Sequence, residues 1–408
     1  MLRAADRARA GRKSLPEPPP STAMHLPDPV ALIESLNRAD VRLVLVATGG
    51  GSAAIPHLLT TPGASGAVVE ALVPYARESI DRLLGGPQES YCSSRTARRL
   101  AMAAWQRARS LKATAEQAVG AAATCSLRTL AAKRGEHRIF AAIQTLEATT
   151  VASLVLEKNV RTRGEEEQVA AALLLELVRQ ACGGDGGRPL EGLLRPGERV
   201  ELLREEAAAE WRELLAGTRR AVLVAEATAA DAIAPGRLIF PGSFDPLHEG
   251  HRLMARLAEE IAERPVEFEL SIENVDKPCL DYLELRSRAD QFGGQPLWLT
   301  RAARFLEKLE IFPRSTFVLG ADTFVRLADP RYYGGSQEAT DHAVKTIAEK
   351  AGGLIVFGRV REGVFAEPSQ LDVPQALRDI AYFVSQREFR IDISSTALRR
   401  EQLACEPS

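Results

Sequence analysis

Short apolar runs and helical spacings alternate along most of this chain, the pattern of an α/β protein. Pro27 to Asn37 is amphipathic at helical spacing, and Val41 to Ala47 is a strand, apolar except for Arg42. The turn Thr48-Gly49-Gly50-Gly51-Ser52 then leads into a second helix. Further on, Leu238 to Phe240 reads as a buried strand ending on a turn. Arg252 to Arg264 places Leu253, Met254, Leu257 and Ile261 on one helical face. Val266 to Ile272 alternates like a strand, while Leu297 to Thr300, Thr316 to Leu319 and Leu354 to Phe357 are short buried strands. Between the two regions, 183–197 is rich in Gly, Pro and charge and reads as a linker. The composition of Glu198 to Leu215 predicts a helix, Ala221 to Ala225 a strand, and 231–236 a second connector. The organisation expected is a tail over 1–24, a first domain over 25–182, a connecting stretch over 183–236 and a second domain over 237–408.

At 408 residues the chain is long enough for two domains. Its net charge of -2 gives no bulk electrostatic reason to expect a nucleic acid or a membrane as partner. No apolar run approaches the ~20 residues that span a bilayer. The cysteines Cys92, Cys125, Cys182, Cys279 and Cys405 form no CxxC pair and are odd in number, so they read as reduced thiols of a cytoplasmic protein. Residues 1–24 are basic, then Pro-rich. They read as a disordered tail, with a transit-like segment as the other reading.

The chemistry concentrates where a strand hands over to a helix, at Pro241-Gly242-Ser243-Phe244-Asp245-Pro246-Leu247-His248-Glu249-Gly250-His251. Free backbone N–H groups and the helix dipole favour an anion there. Gly242 and Gly250 would let a ligand approach the backbone, with Ser243 and Phe244 in the same turn. His248 and His251, three apart at the helix start, would face one ligand. This stretch resembles the signature of the nucleotidylyltransferase superfamily, a His-x-Gly-His element. The family's second element, Ile-Ser-Ser-Thr-x-x-Arg, is matched downstream by Ile393-Ser394-Ser395-Thr396-Ala397-Leu398-Arg399.

The resemblance implies a Rossmann-like parallel sheet and transfer of a nucleotidyl group from a triphosphate. It implies catalytic roles for His248, His251 and Arg399, with nucleotide contacts from Gly242, Ser243, Phe244, Gly250, Ser394, Ser395 and Thr396. Lys277, in the loop after the strand ending at Ile272, is a candidate for a phosphate contact. Gly320-Ala321-Asp322 resembles the Gly-x-Asp turn of pyridine-mononucleotide adenylyltransferases, whose aspartate accepts from a sugar hydroxyl. Those enzymes place a tryptophan just after the turn. Here the segment is Ala328 to Tyr333, so Tyr332 or Tyr333 would stack instead. No dedicated metal cage is visible, and Mg²⁺ would enter with ATP.

The first domain, over about Val41 to Cys182, resembles the C-terminal domain of CinA, whose relatives include nicotinamide-nucleotide amidohydrolases. The similar stretches are Thr48 to Ser52, Thr61-Pro62-Gly63-Ala64-Ser65-Gly66 and Ala71-Leu72-Val73-Pro74-Tyr75. The family's nucleophilic serine is Val46 here, and its supporting lysine is Ile80. Neither side chain can do that chemistry. Fold without amidase activity is the expectation, and the glycine turn alone remains capable of holding a phosphate through its N–H groups.

The substrates these resemblances imply are ATP and a small phosphate-bearing acceptor, nicotinamide or nicotinate mononucleotide first. An adenylyl- or cytidylyltransferase for another phosphate, such as a polyol phosphate or phosphopantetheine, is the alternative. A non-catalytic nucleotide sensor is a reading of a different class. Whether the chain forms a homo-oligomer stays open.

Overall fold

The computed structural model describes residues 26–389 apart from 112, 132, 184–189, 191, 225–232 and 362–363. It holds two α/β sheets, one mixed and one mostly parallel.

The first sheet runs β2-β1-β3-β4-β5-β6, with β1 (Arg42–Thr48), β2 (Val68–Leu72), β3 (Ala118–Ser126), β4 (His137–Gln144), β5 (Ala148–Leu156) and β6 (Val200–Glu206). Only the β1 pairings are parallel; β3 to β6 pair antiparallel. Its helices are α1 (Pro29–Arg38), α2 (Ala54–Leu59), α3 (Arg77–Leu84), α4 (Ser94–Ser110) and α5 (Arg163–Ala181). Strand alternation splits β1 between two faces. Leu43 and Leu45 are buried with α1 and α5, while Val44 and Val46 are buried with α4. A strand at β6 replaces the helix expected from 198 onward. Its Glu, Leu and Arg favour a helix locally, but seven residues of ladder with β5 override that preference. The helix begins later, at α6 (Ala209–Ala216).

The second sheet runs β15-β12-β11-β8-β9-β10-β7. Its strands are β7 (Ala221–Leu223), β8 (Leu238–Pro241), β9 (Val266–Ser271), β10 (Leu297–Thr300), β11 (Thr316–Gly320), β12 (Gly353–Phe357) and β15 (Ala381–Val384). A separate hairpin joins β13 (Arg359–Arg361) and β14 (Val364–Ala366). All pairings in the seven-stranded sheet are parallel except β7 on β10. The helices are α7 (Glu249–Ala262), α8 (Tyr282–Ala289), α9 (Phe305–Ile311), α10 (Ala321–Arg326), α11 (Gln337–Lys350) and α12 (Gln375–Asp379). From β8 the chain builds β9 and β10 to one side, then returns to add β11, β12 and β15 on the other. That is a doubly wound order with its switch point between β8 and β11, where α/β sheets leave a crevice for ligands.

The two sheets share one hydrophobic core. Trp105 and Leu100 of α4 belong to the same buried cluster as Phe240, Phe268, Tyr282 and Leu299 of the second region. Tyr282 is buried and bonds the first sheet twice: its N–H donates to Thr149 Oγ1 at 3.0 Å and its hydroxyl to the Leu146 carbonyl at 2.7 Å. The Trp211 ring of α6 stacks on it, centroids 6.4 Å apart.

Candidate functional site

The expected strand-to-helix turn lies at the switch point, between the end of β8 and the start of α7. His248 is the N-cap of α7 and His251 stands in its first turn. Their rings stack with centroids 3.8 Å apart and planes 24° from parallel. The His248 backbone N–H donates to His251 Nδ1 at 3.3 Å. An accepting Nδ1 puts the ring proton on Nε2, so the neutral ring keeps one N–H donor. Burial, with His248 beside it, pushes the His251 pKa down to about 3. His251 is therefore a neutral donor near pH 7.

Beneath the histidines lies an aromatic floor of Phe240, Phe244, Phe268 and Phe292, with Phe244 edge-on to His251 at 5.2 Å. Two of the residues expected to contact a nucleotide have packing roles here. Phe244 is only 1% exposed, so its side chain packs the core and cannot contact a nucleotide. Gly242 is also needed for a different reason: a Cβ there would stand 2.5 Å from the Phe244 ring, so the space it leaves is filled by the protein itself. Ser243 is exposed, and Gly250 is buried in the first turn of α7.

Several residues outside the expected set hold this turn. Arg288 of α8 donates to the Ser243 carbonyl at 2.8 Å and pairs with Asp245 at 3.3 Å. Gln291 accepts from the Leu247 N–H at 2.7 Å and donates to the Phe244 carbonyl at 3.3 Å. Arg95 of α4 donates to Asp245 at 2.6 Å and to Glu284 at 3.1 Å. Burial would raise the Glu284 carboxyl, but Arg288 and Arg95 beside it hold it below the usual range. In the sequence, the Glu284/Arg288 spacing was the one available signal for this cluster, an i,i+4 ion pair.

The remaining predicted residues sit at neighbouring strand ends. Lys277 is exposed in the loop following β9, the strand beside β8. Asp322 lies in the first turn of α10, directly after β11 on the other side of β8. Gly320, not Asp322, is the N-cap there. Tyr332 and Tyr333 belong to a 3-10 turn over Pro330–Tyr333. Both are half-buried, and the Tyr333 hydroxyl is tied to the Leu327 carbonyl at 2.9 Å. Ser394, Ser395, Thr396 and Arg399 lie outside the described residues. The ring of Phe389, the last described residue, packs on Phe357 at the end of β12. Among the described residues no cluster of three or more His, Cys, Asp or Glu could hold a metal ion, and no helix is long and apolar enough to cross a membrane.

In the first region, the glycine turn already holds an anion of its own. Glu167 of α5 accepts from Ser52 Oγ at 2.9 Å and from the Ala53 N–H at 3.1 Å, at the end of the turn that leads into α2. Arg163 pairs with the same carboxylate at 2.8 Å and donates to the Gly49 carbonyl at 3.0 Å. Val46 is fully buried in the core and Ile80 is 3% exposed. A cavity of about 300 Å³ opens beside Gly49, lined by Ile80, Tyr91, Cys92, Arg77 and Lys133 among others. Its Cys92 is no substitute nucleophile. Burial pushes the thiol up to about 11, and its S–H faces the Thr124 and Arg138 carbonyls.

The chain matches no protein-family model and no curated protein. Among solved structures, its N-terminal part is similar to CinA-superfamily proteins. The competence/damage inducible protein CihA from Agrobacterium tumefaciens is 18% identical, over 38% of this chain and 98% of that one, with a TM-score of 0.33. A CinA-superfamily competence-damaged protein from Escherichia coli is 17% identical, over 37% of this chain and 87% of that one, with a TM-score of 0.32.

Proposed function

We propose that the second region is a nucleotidylyltransferase, joining the AMP part of MgATP to nicotinamide or nicotinate mononucleotide. The observation that carries this reading is the pair of stacked imidazoles at the N-terminus of α7, with His251 held neutral and its Nδ1 accepting from the backbone, which puts the ring proton on Nε2. In the proposed step an oxygen of the acceptor's phosphate attacks the α-phosphorus. A new P–O–P bond forms, the bond from the α-phosphorus to the bridging oxygen breaks, and pyrophosphate leaves with Mg²⁺. The reaction needs positioning and charge neutralisation rather than a protein nucleophile. The α7 dipole and the two imidazole N–H groups stabilise charge building on the α-phosphate. Asp322, at the adjacent strand end across the switch point, would accept from the acceptor's ribose hydroxyls. Arg399 and the Ser394 to Thr396 run complete the proposal as the grip on the β- and γ-phosphates.

For the first region we propose no amidase activity, because Val46 and Ile80 offer no nucleophile or proton carrier. One assay tests both readings. Purified full-length protein is incubated with MgATP and a panel of phosphate acceptors, and pyrophosphate and ammonia are followed. Pyrophosphate release that depends on nicotinamide or nicotinate mononucleotide, without ammonia, is the expected result. No pyrophosphate with any acceptor overturns the transferase reading, and ammonia release from nicotinamide mononucleotide overturns the other.

A further inference from the structure

The signature turn is held by a residue from the other sheet's domain. Arg95 stands in the first turn of α4, a helix packed on the first sheet. It crosses 150 positions of sequence to place Nη2 2.6 Å from Asp245 Oδ2, inside the turn between β8 and α7. The same nitrogen lies 3.1 Å from Glu284, and Nη1 pairs with Glu89 at 3.5 Å. One turn further along α4, Arg98 pairs with Asp281 and reaches Glu284 at 3.7 Å. Arg288 closes the cluster from α8, touching Asp245, Glu284 and the Ser243 carbonyl. Arg95, Arg98 and Arg288 thus face Asp245, Asp281 and Glu284, with Glu89 beside Arg95 at the edge of the cluster. The inner side chains are largely withdrawn from water: Arg98, Arg288, Asp281 and Glu284 are each at most 15% exposed, while Arg95 and Asp245, nearer the rim, are 32% and 25% exposed. The inner pairs keep much of the strength that an exposed pair loses to solvent, and the half-buried Arg95–Asp245 pair keeps less of it, so its part is to fix geometry.

We infer that Arg95 is a positioning residue for nucleotidyl transfer: through Asp245 the first domain fixes the backbone that carries His248 and His251. This inference rests on the transferase reading above. The first domain then has a function that needs neither amidase chemistry nor a ligand. A docked helix supplies one wall of the turn, and the turn's geometry depends on that docking. A small misplacement of a group that acts on a reacting phosphate is costly to turnover.

The test compares three full-length variants with wild type. Arg95→Met keeps the stem and removes the charge, and Arg95→Lys restores a point charge. Arg286→Met is the control. Arg286 makes another contact between the two regions, 3.0 Å from Glu205 and over the Trp211 ring, without touching the turn. Arg95→Met is expected to lower kcat ~10²-fold with KM for MgATP little changed, Arg95→Lys to recover a substantial part, and Arg286→Met to keep wild-type turnover. Equal losses in Arg95→Met and Arg286→Met would mean general docking and overturn the inference, as would wild-type kcat in Arg95→Met. The ring signals of His248 and His251 in NMR spectra supply a readout independent of activity. They are expected to move in Arg95→Met and to stay in place in Arg286→Met. If wild type releases no pyrophosphate, the transferase reading fails while the spectra still decide whether Arg95 sets the turn. Unmoved signals in Arg95→Met overturn the positioning claim whatever the activity.

Discussion

At the scale of single residues, His251 carries the sharpest consequences. It is a neutral ring whose Nδ1 is engaged, so its proton sits on Nε2 without the cost of burying a charge. In the proposed transfer, replacing it by alanine removes one preorganised donor, and turnover should fall ~10²- to 10³-fold with ATP affinity changed much less. Steady-state kinetics paired with a binding titration measure both quantities, and near wild-type turnover would contradict the role. The same residue sets a pH dependence. Its pKa is 6.5 ordinarily and about 3 in the folded protein. Between those values the unfolded chain binds the proton and the folded one does not. Stability from this group is therefore intact above pH 6.5 and declines as pH falls towards about 3. Denaturant midpoints taken across that window should drop with pH more steeply in wild type than in His251→Phe, which cannot titrate.

At the scale of elements, α8 is the support on which the signature turn rests. Asp281 caps it by accepting from the Glu284 N–H at 3.0 Å and also pairs with Arg98. It is 2% exposed. Asp281→Ala removes the cap and leaves the Arg98 guanidinium buried without that partner, which should destabilise by about 3 kcal/mol or more. Asp281→Asn keeps a capping oxygen and should cost less; urea unfolding of the two variants checks the order. How far such elements were legible in the sequence follows from their range. The strands at 238–241, 266–271 and 316–320 announce themselves as apolar runs bounded by turns, and α7 by its one-sided spacing. Strand β6 did not, because its Glu-rich composition speaks for a helix and only the distant β5 ladder decides otherwise. The signature histidines were legible as a motif, but not Phe244 as floor rather than ligand contact. That inward turn depends on Phe240, Phe268 and Phe292, which arrive from three other elements. Arg95 was invisible for the same reason, since nothing within 150 residues of sequence marks Asp245 as its partner.

At the scale of the whole molecule, the two sheets are joined by a core rather than by a linker. Leu100, Trp105 and Val151 from the first region and Phe268, Tyr282 and Leu285 from the second lie in one continuous buried cluster. Around it stand the polar bonds of Tyr282 to the Leu146 carbonyl and to Thr149, and of Gln106 to the Cys279 N–H at 3.1 Å. A fragment of residues 197–408 would therefore lose one wall of its own core. Strand β6 would be left without β5, as an unpaired edge bearing the exposed Leu202 and Leu203. Asp281 and Glu284 would lose the guanidiniums of Arg98 and Arg95. Each of these losses acts in the same direction, so the fragment should be poorly soluble or lack cooperative unfolding. Had the first domain been an independent module with a ligand of its own, the fragment would instead fold and keep its turnover. Expression of residues 197–408, followed by thermal unfolding monitored by near-ultraviolet circular dichroism, separates the two. A soluble fragment with a cooperative transition and wild-type turnover would show that the shared core is dispensable, and that α4 does not hold the site.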